Sequence, residues 1–389
     1  MRCLEVIMEE KRIEIFLFID ALGWKIVNDH NFLATLLPYR KKIEMQFGYS
    51  SSAIPTILSG TTPAKHGHLG LFAFAPEKSP FKLLSNLSFL FKPDNFWNRG
   101  RVRHHLSKLL KKFYNFTGYF QLYRMPLWKL KYMDYCEKKN LFISKGMDDI
   151  PNLHDVLTNK KINFHISDWH LSDHENYLAS QKAIEEGKNF LFVYTASFDG
   201  LLHDKVGNFD AVEAKLQEIA KEVANLYHKA KEYASNVNFT IISDHGMTPL
   251  TSTVNIASKL AETNLVFGKD YGSCLDSTMA RFYYLTEKSK DIIHDILKDF
   301  PGRILTKEEE IKYGIFREDR AFGDEIFLLD AGIQIAPSDM GEKPLNGMHG
   351  FDVNDEHSFA VMLSNTDIPQ NINKVADYFN LMIERAENL

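Results

Sequence analysis

"NFDAVEAKLQEIAKEVANLYHKAKEYASNVNFTIISDHGM", residues 208–247, contains the pattern that decides the fold. It reads as a long amphipathic helix that gives way to a short apolar strand, "NFTIIS". The strand ends in Asp244 and His245, followed by Gly246. A polar pair is ordinary where a strand meets solvent, so its meaning depends on what else reaches the same place.

The same alternation recurs towards the N-terminus. "ENYLASQKAIEEGKNFLFVYTAS" (175–197) and "NLHDVLTNKKINFHIS" (152–167) each read as helix then strand. "IEMQFGYSSSAIPTILSG" (43–60) reads as a strand, a Ser-rich turn and a short helix closed by Gly60. "IEIFLFID" (13–20) is a strand-length apolar run ending in a carboxylate, with a helical stretch from about Lys25. Strands alternating with helices predict an α/β domain with a largely parallel central sheet flanked by helices. Ligands in such sheets bind beyond the carboxyl ends of the strands, where "FID", "TASFD" and "SDH" place their polar residues.

At 389 residues and 44% apolar content the chain can bury a sizeable core, and its formal charge of −5 selects no partner by itself. The distribution of charge is uneven. Between Lys82 and Lys145 fourteen Lys or Arg face three acids (Asp94, Asp134, Glu137), a local +11 that leaves the remainder at −16. Aromatics such as Phe96, Trp97, Phe116, Tyr119, Tyr123 and Trp128 are interleaved with these charges. The expected organisation is a catalytic core over 1–75 and 149–389, with a basic, aromatic-rich helical cap inserted at 76–148. A simpler reading makes that segment a helical insertion with its own small core and a solvated charged face.

Three scattered cysteines (Cys3, Cys136, Cys274) suggest neither a disulfide framework nor a zinc knuckle, and fit a reducing, cytoplasmic setting. The N-terminal "MRCLEVIMEEKRIEIFLFID" is interrupted by Glu5, Glu9, Glu10 and Glu14, so neither a signal peptide nor a transmembrane segment is expected. Nothing points to nucleic acid as a specific partner, and the oligomeric state is left open.

If the sheet is parallel, Asp20, Asp199 and Asp244 converge on one edge. Each alone could cap a following helix. His203 follows Asp199 by four residues, close enough for both side chains to reach one ion, and His349 lies in the Gly-flanked "NGMHGFD". With His245 these make six mixed N/O ligands, enough for two divalent ions: zinc suits the imidazoles, and manganese is the alternative. Paired ions suit in-line displacement at phosphorus. Ser50, Ser51 and Ser52 lie between a strand and a helix, where free N–H groups favour an anionic oxygen. Pro55 is tolerated only in a first turn, which predicts a helix start near Ser51 or Ser52.

"FLFIDALGW", "YSSSAIPTILSGTTPAKHG", "SFDGLLHDKVG", "SDHGM" and "MHGFD" follow one another in an order that resembles the alkaline phosphatase superfamily, most closely its nucleotide pyrophosphatase/phosphodiesterase branch. The resemblance implies an alkaline-phosphatase-like core, one metal held by Asp20, Asp244 and His245, and another held by Asp199, His203 and His349. It also implies a nucleophile ten residues before Gly60, which is Ser50. Two positions depart from the branch, which usually has Thr as nucleophile and Asn three residues later; this chain has Ser50 and Ala53. The C-x-P-x-R context of sulfatases is absent.

The expected activity is therefore a two-metal phosphoester hydrolase of phosphodiesterase or nucleotide pyrophosphatase type, acting on an anionic phosphoester through a phosphoseryl intermediate. A phosphomonoesterase or phosphoryl-group transferase would use the same site. A non-catalytic binder of an anionic glycan or lipid headgroup would be free to lose ligands, and the full set argues against it. Ser51, His66, His68 and Arg281 are further candidates for phosphate contact. Each has an ordinary alternative: a cap, a loop histidine, or an arginine paired with a nearby acid.

Overall fold

The computed structural model describes residues 11–83 and 99–389. Its main sheet has six strands: β1 (Arg12–Ile19), β2 (Tyr39–Ile43), β3 (Phe164–Ile166), β4 (Phe190–Thr195), β5 (Asn236–Ile242) and β6 (Ala360–Ser364). They lie in the order β2-β6-β5-β1-β4-β3. β1 is central and pairs in parallel on both sides, Phe16 standing opposite Phe192 and Thr240. β6 runs antiparallel to both β5 and β2.

β1 is buried from Ile13 to Ile19, and its side chains alternate between two cores. Ile13, Ile15, Leu17 and Ile19 pack with the apolar stripe of helix Phe209–Tyr233, formed by Val212, Leu216, Ile219, Val223, Leu226 and Ala230. Phe16 and Phe18 face the other way, into a core with Ile57 and Leu58 of helix Ser50–Ser59 and with Tyr378, Leu381 and Met382 of helix Asp377–Glu387. The three-layer arrangement follows from that period of two.

The second strand lies earlier than "IEMQF". It is Tyr39–Ile43, a largely polar edge strand, and the apolar run after it pairs only at an isolated Glu44 bridge. Met45 and Phe47 instead enter a core with Leu69, Met279 and Ile326. That core lies under a second, antiparallel sheet: Tyr271–Leu275, Met279–Tyr284, Glu325–Leu329 and Gly302–Ile304.

Within 76–148 the described residues include helix Gly100–Phe113 and strand Met133–Tyr135, which pairs with Phe72–Phe74. Phe81, Phe116, Phe120 and Tyr135 are buried in a core that also takes Cys274 and Tyr283 from the second sheet. Many of the aromatics therefore hold this segment onto the body of the protein and are not presented to a ligand. Asp94, Phe96 and Trp97 lie outside the described residues. Among the described residues no helix is long and apolar enough to cross a membrane.

Candidate metal centre and active cavity

Three neighbouring parallel strands deliver the carboxylates. Asp20 follows β1, Asp244 follows β5, and Asp199 sits in the first turn of helix Ser197–Lys205, which begins just after β4. The Ala21 N–H donates to Asp244 Oδ1 at 3.2 Å and so ties the β1 and β5 exits together. Gly246 is required for close approach: a Cβ there would lie 2.0 Å from the His357 carbonyl oxygen. This answers why glycine follows the Asp-His pair, and the reason is space, since its φ is not in the left-handed region.

Asp199 and His203 stand one helical turn apart, Nε2 lying 3.4 Å from Oδ2, while His203 Nδ1–H donates to the Gly347 carbonyl at 2.9 Å. His349 Nε2 lies 3.6 Å from the other Asp199 oxygen. Its ring stacks on His245 with centroids 3.7 Å apart. His245 Nδ1–H donates to the Gly246 carbonyl at 2.9 Å, which turns Nε2 towards Asp244 Oδ2 (3.1 Å), Asp20 Oδ1 (3.6 Å) and the Ser50 hydroxyl (3.0 Å). The structure thus brings all six sequence candidates and Ser50 together.

Ligand atoms of Asp199, His203 and His349 lie within 4.8 Å of one another, as do those of Asp20, Asp199 and His245. Buried oxygens of Asp20, Asp199 and Asp244, and His349 Nδ1, have no hydrogen-bond partner. Burial, then repulsion from Asp244 and Asp199, pushes the Asp20 carboxyl well up. Burial also opposes the Asp244 charge, but the neighbouring His245 together with backbone N–H groups, Ala21 among them, holds that carboxyl below its ordinary value. Burial and the nearby His245 and His203 push His349 well down, so it stays neutral, the state in which an imidazole ligates. Crowded acids with orphaned oxygens are costly unless a cation joins them. Three carboxylates with three imidazoles fit divalent ions of the zinc type.

The three serines separate cleanly. Ser51 Oγ donates to the Leu69 carbonyl at 3.3 Å, and Ser52 Oγ to the Phe47 and Tyr49 carbonyls at 2.9 Å each. Only Ser50 of the three turns its hydroxyl to the cluster. The helix begins at Ser50, earlier than Pro55 suggested, because the Ser52 and Ala53 N–H groups already bond to the Tyr49 carbonyl. Pro55 therefore sits inside the helix, beyond its first turn.

Other candidates lie elsewhere. His66 is buried with Nε2 3.0 Å from Thr56 Oγ1, bracing helix Ser50–Ser59. The His68 N–H donates to His66 Nδ1 at 3.2 Å, and burial pushes the His68 imidazole down to about 4. Arg281 is fully buried, its Nε–H donating to Asp276 Oδ2 at 2.8 Å and its Nη2–H to the Phe72 carbonyl at 2.6 Å. None of these three lines the cavity, whereas Ser51 does.

The cavity above the cluster measures about 550 Å³. Its walls include Trp169 and Lys343, which sequence reasoning missed, and Tyr119, Tyr123, Lys139 and Glu137 from the inserted segment, which it had not singled out as site residues. The Tyr119 and Tyr123 hydroxyls bond at 2.7 Å, and Trp169 meets Tyr119 edge to face. Burial pushes Glu137 up to about 8. Its signal in the sequence was modest, one of three acids inside the basic segment.

Residues 15–352 match the model of the family described as type I phosphodiesterase / nucleotide pyrophosphatase. None of the curated proteins matches the chain significantly. Murine ectonucleotide pyrophosphatase/phosphodiesterase 5 superposes with a TM-score of 0.66 at 14% identity, over 97% of this chain and 95% of that one. An inactive variant of the murine protein in complex with AMP gives 0.65 at 14% identity, over 97% and 96%. The human counterpart gives 0.64 at 14% identity, over 96% and 95%. At that identity the likeness establishes a shared α/β fold.

Proposed function

The chain belongs to the type I phosphodiesterase/nucleotide pyrophosphatase family, and from that premise we propose a two-metal phosphoester hydrolase that works through a phosphoseryl intermediate on Ser50. The observation that carries this reading is the Ser50 hydroxyl, alone of three serines, 3.0 Å from His245 Nε2 at the edge of the orphaned carboxylates.

Asp20, Asp244 and His245 would hold one ion, and Asp199, His203 and His349 the other. Bound there, the ions would lower the pKa of the serine hydroxyl and offset charge on the phosphoryl oxygens. Ser50 Oγ attacks phosphorus in line as the bond to the leaving oxygen breaks, and the leaving group departs with a proton. The N-terminal turn of helix Ser50–Ser59 directs its free N–H groups and positive dipole end at the phosphoryl oxygens. Water then attacks the phosphoseryl group, and Ser50 regains its proton. The Gly347 and Gly246 carbonyls accept from Nδ1–H of His203 and His245 and so orient both rings.

The related murine protein has been captured with AMP, and a cavity of about 550 Å³ with aromatic walls has room for an organic group of nucleotide size. The segment 76–148 would act as the specificity cap, since it supplies Tyr119, Tyr123, Glu137 and Lys139 to the walls. A cytoplasmic setting belongs to the same reading, supported by the free thiols of Cys136 and Cys274.

The test is turnover by zinc- or manganese-loaded protein of bis(p-nitrophenyl) phosphate, p-nitrophenyl phosphate and a nucleoside pyrophosphate. Diester or pyrophosphate cleavage that chelator abolishes and zinc restores is expected. Absence of turnover on all three overturns the proposal, and preference for the monoester makes the enzyme a phosphomonoesterase.

A further inference from the structure

The helix Gly100–Phe113, "GRVRHHLSKLLKKF", contains no acid. Arg103, Ser107 and Leu110 form its buried side. The opposite side exposes Arg101, His104, His105, Lys108 and Lys112, and along one edge Leu109 and Phe113. Those two apolar side chains, one turn apart, are 63% and 68% exposed. A merely solvated face has no reason to present both to water, although a scattered single leucine would need no explanation.

We propose that this face is a docking surface for an anionic lipid membrane, with Leu109 and Phe113 entering the headgroup layer and Arg101, Lys108 and Lys112 meeting the lipid charge. Basic residues beside an exposed aliphatic and an aromatic are what an interfacial helix uses. The rest of the chain favours the same orientation: outside Lys82–Lys145 it carries −16, so an anionic surface attracts the molecule through this segment and repels the remainder. A polyanion such as nucleic acid would engage the charges and can stack a base on Phe113 but gains little from Leu109, whereas a lipid surface uses all of them, which is why lipid is the favoured occupant.

The opposite flank of this helix borders the cavity. Lys111, on the flank of the same helix, holds its ammonium 4.9 Å above the Trp169 ring, and Trp169 lines the cavity beside Tyr119. The inference goes beyond the hydrolase reading and does not depend on it, because its readout is binding.

The experiment is co-sedimentation of the full chain with vesicles of phosphatidylcholine alone or mixed with phosphatidylglycerol. Partition into the anionic vesicles is expected to exceed that into neutral ones by about a hundredfold, near fivefold for each of Arg101, Lys108 and Lys112. It should fall by about 25-fold in Lys108→Gln with Lys112→Gln, near fivefold per charge. It should also fall in Leu109→Ser with Phe113→Ser, and thermal melts of both double variants should match the parent. These four residues do not line the cavity. Equal binding to both vesicle types, or wild-type binding by either double variant, would overturn the proposal. So would lysine-dependent binding of a single-stranded oligonucleotide in the absence of vesicle binding.

Discussion

In the cluster at and beneath the cavity floor Asp20, Asp199 and Asp244 hold buried oxygens that no proton donor satisfies, while on the cavity wall the buried Glu137 is pushed up to about 8 and so remains protonated at neutral pH. The floor gathers residues from strand ends far apart in sequence, and the wall joins Tyr119, Tyr123, Glu137 and Lys139 from one segment to Trp169, Tyr194 and Lys343 from others. The two regions resolve buried acidity in different ways. Acids on the floor are too many to be neutralised singly and suit cations, whereas an isolated acid on the wall is neutralised by its own proton. The floor should therefore respond to metals and the wall to pH.

The largest expected effect tests the floor. Ser50→Ala should lower kcat by at least about a thousandfold, roughly 4 kcal/mol of barrier, while metal content and folding persist. Ser51→Ala should cost little, because its hydroxyl is already given to the Leu69 carbonyl. Steady-state kinetics of the pair decide it, and a dead Ser51 variant beside an active Ser50 variant would reassign the nucleophile. Next, His203→Ala should lower bound zinc by about one ion per chain and activity by roughly a hundredfold. Elemental analysis showing unchanged zinc would remove His203 from the ligand set.

The wall gives smaller effects. Glu137 has a folded pKa of about 8 against an ordinary 4.5, so the folded protein keeps a proton that the unfolded chain loses across that interval. Its contribution makes stability fall as pH rises through the window, and the slope ends above about pH 8. Glu137→Gln should flatten that fall, measured as urea midpoints at about pH 5 and about pH 9. Parallel pH dependences in both proteins would show that Glu137 ionises freely in the cavity. Smallest, Trp169→Ala should raise KM for a nucleotide ester by about tenfold and leave a small alkyl ester nearly unchanged, consistent with the worth of one aromatic contact. Equal loss on both esters would make Trp169 a structural residue.

How much was legible depended on whether local pattern carried the information. The strand runs ending at Asp20 and at "SDH", and the apolar stripe of Phe209–Tyr233, were plain because burial on a sheet or a helix face imposes a period on the chain itself. The edge strand at Tyr39–Ile43 was misplaced because a polar edge carries little of that period. The antiparallel sheet from Tyr271 to Leu329 passed unnoticed among short apolar runs. Arg281 was a candidate for phosphate contact beside the alternative of pairing with a nearby acid; it does pair with Asp276, and only its bond to the Phe72 carbonyl, far off in sequence, had no local signal.

Sequence by itself determined the layered α/β core and the exit of three carboxylates on one edge, since parallel strands separated by helices must send their carboxyl ends the same way. Only the tertiary structure decided which serine faces the cluster, that His245 presents Nε2 to it, and that Glu137 is desolvated beside the tyrosines. The physical reason is that hydrogen-bond direction and desolvation arise from groups brought together across the chain. Ser50 and His245 meet over a separation of 195 residues.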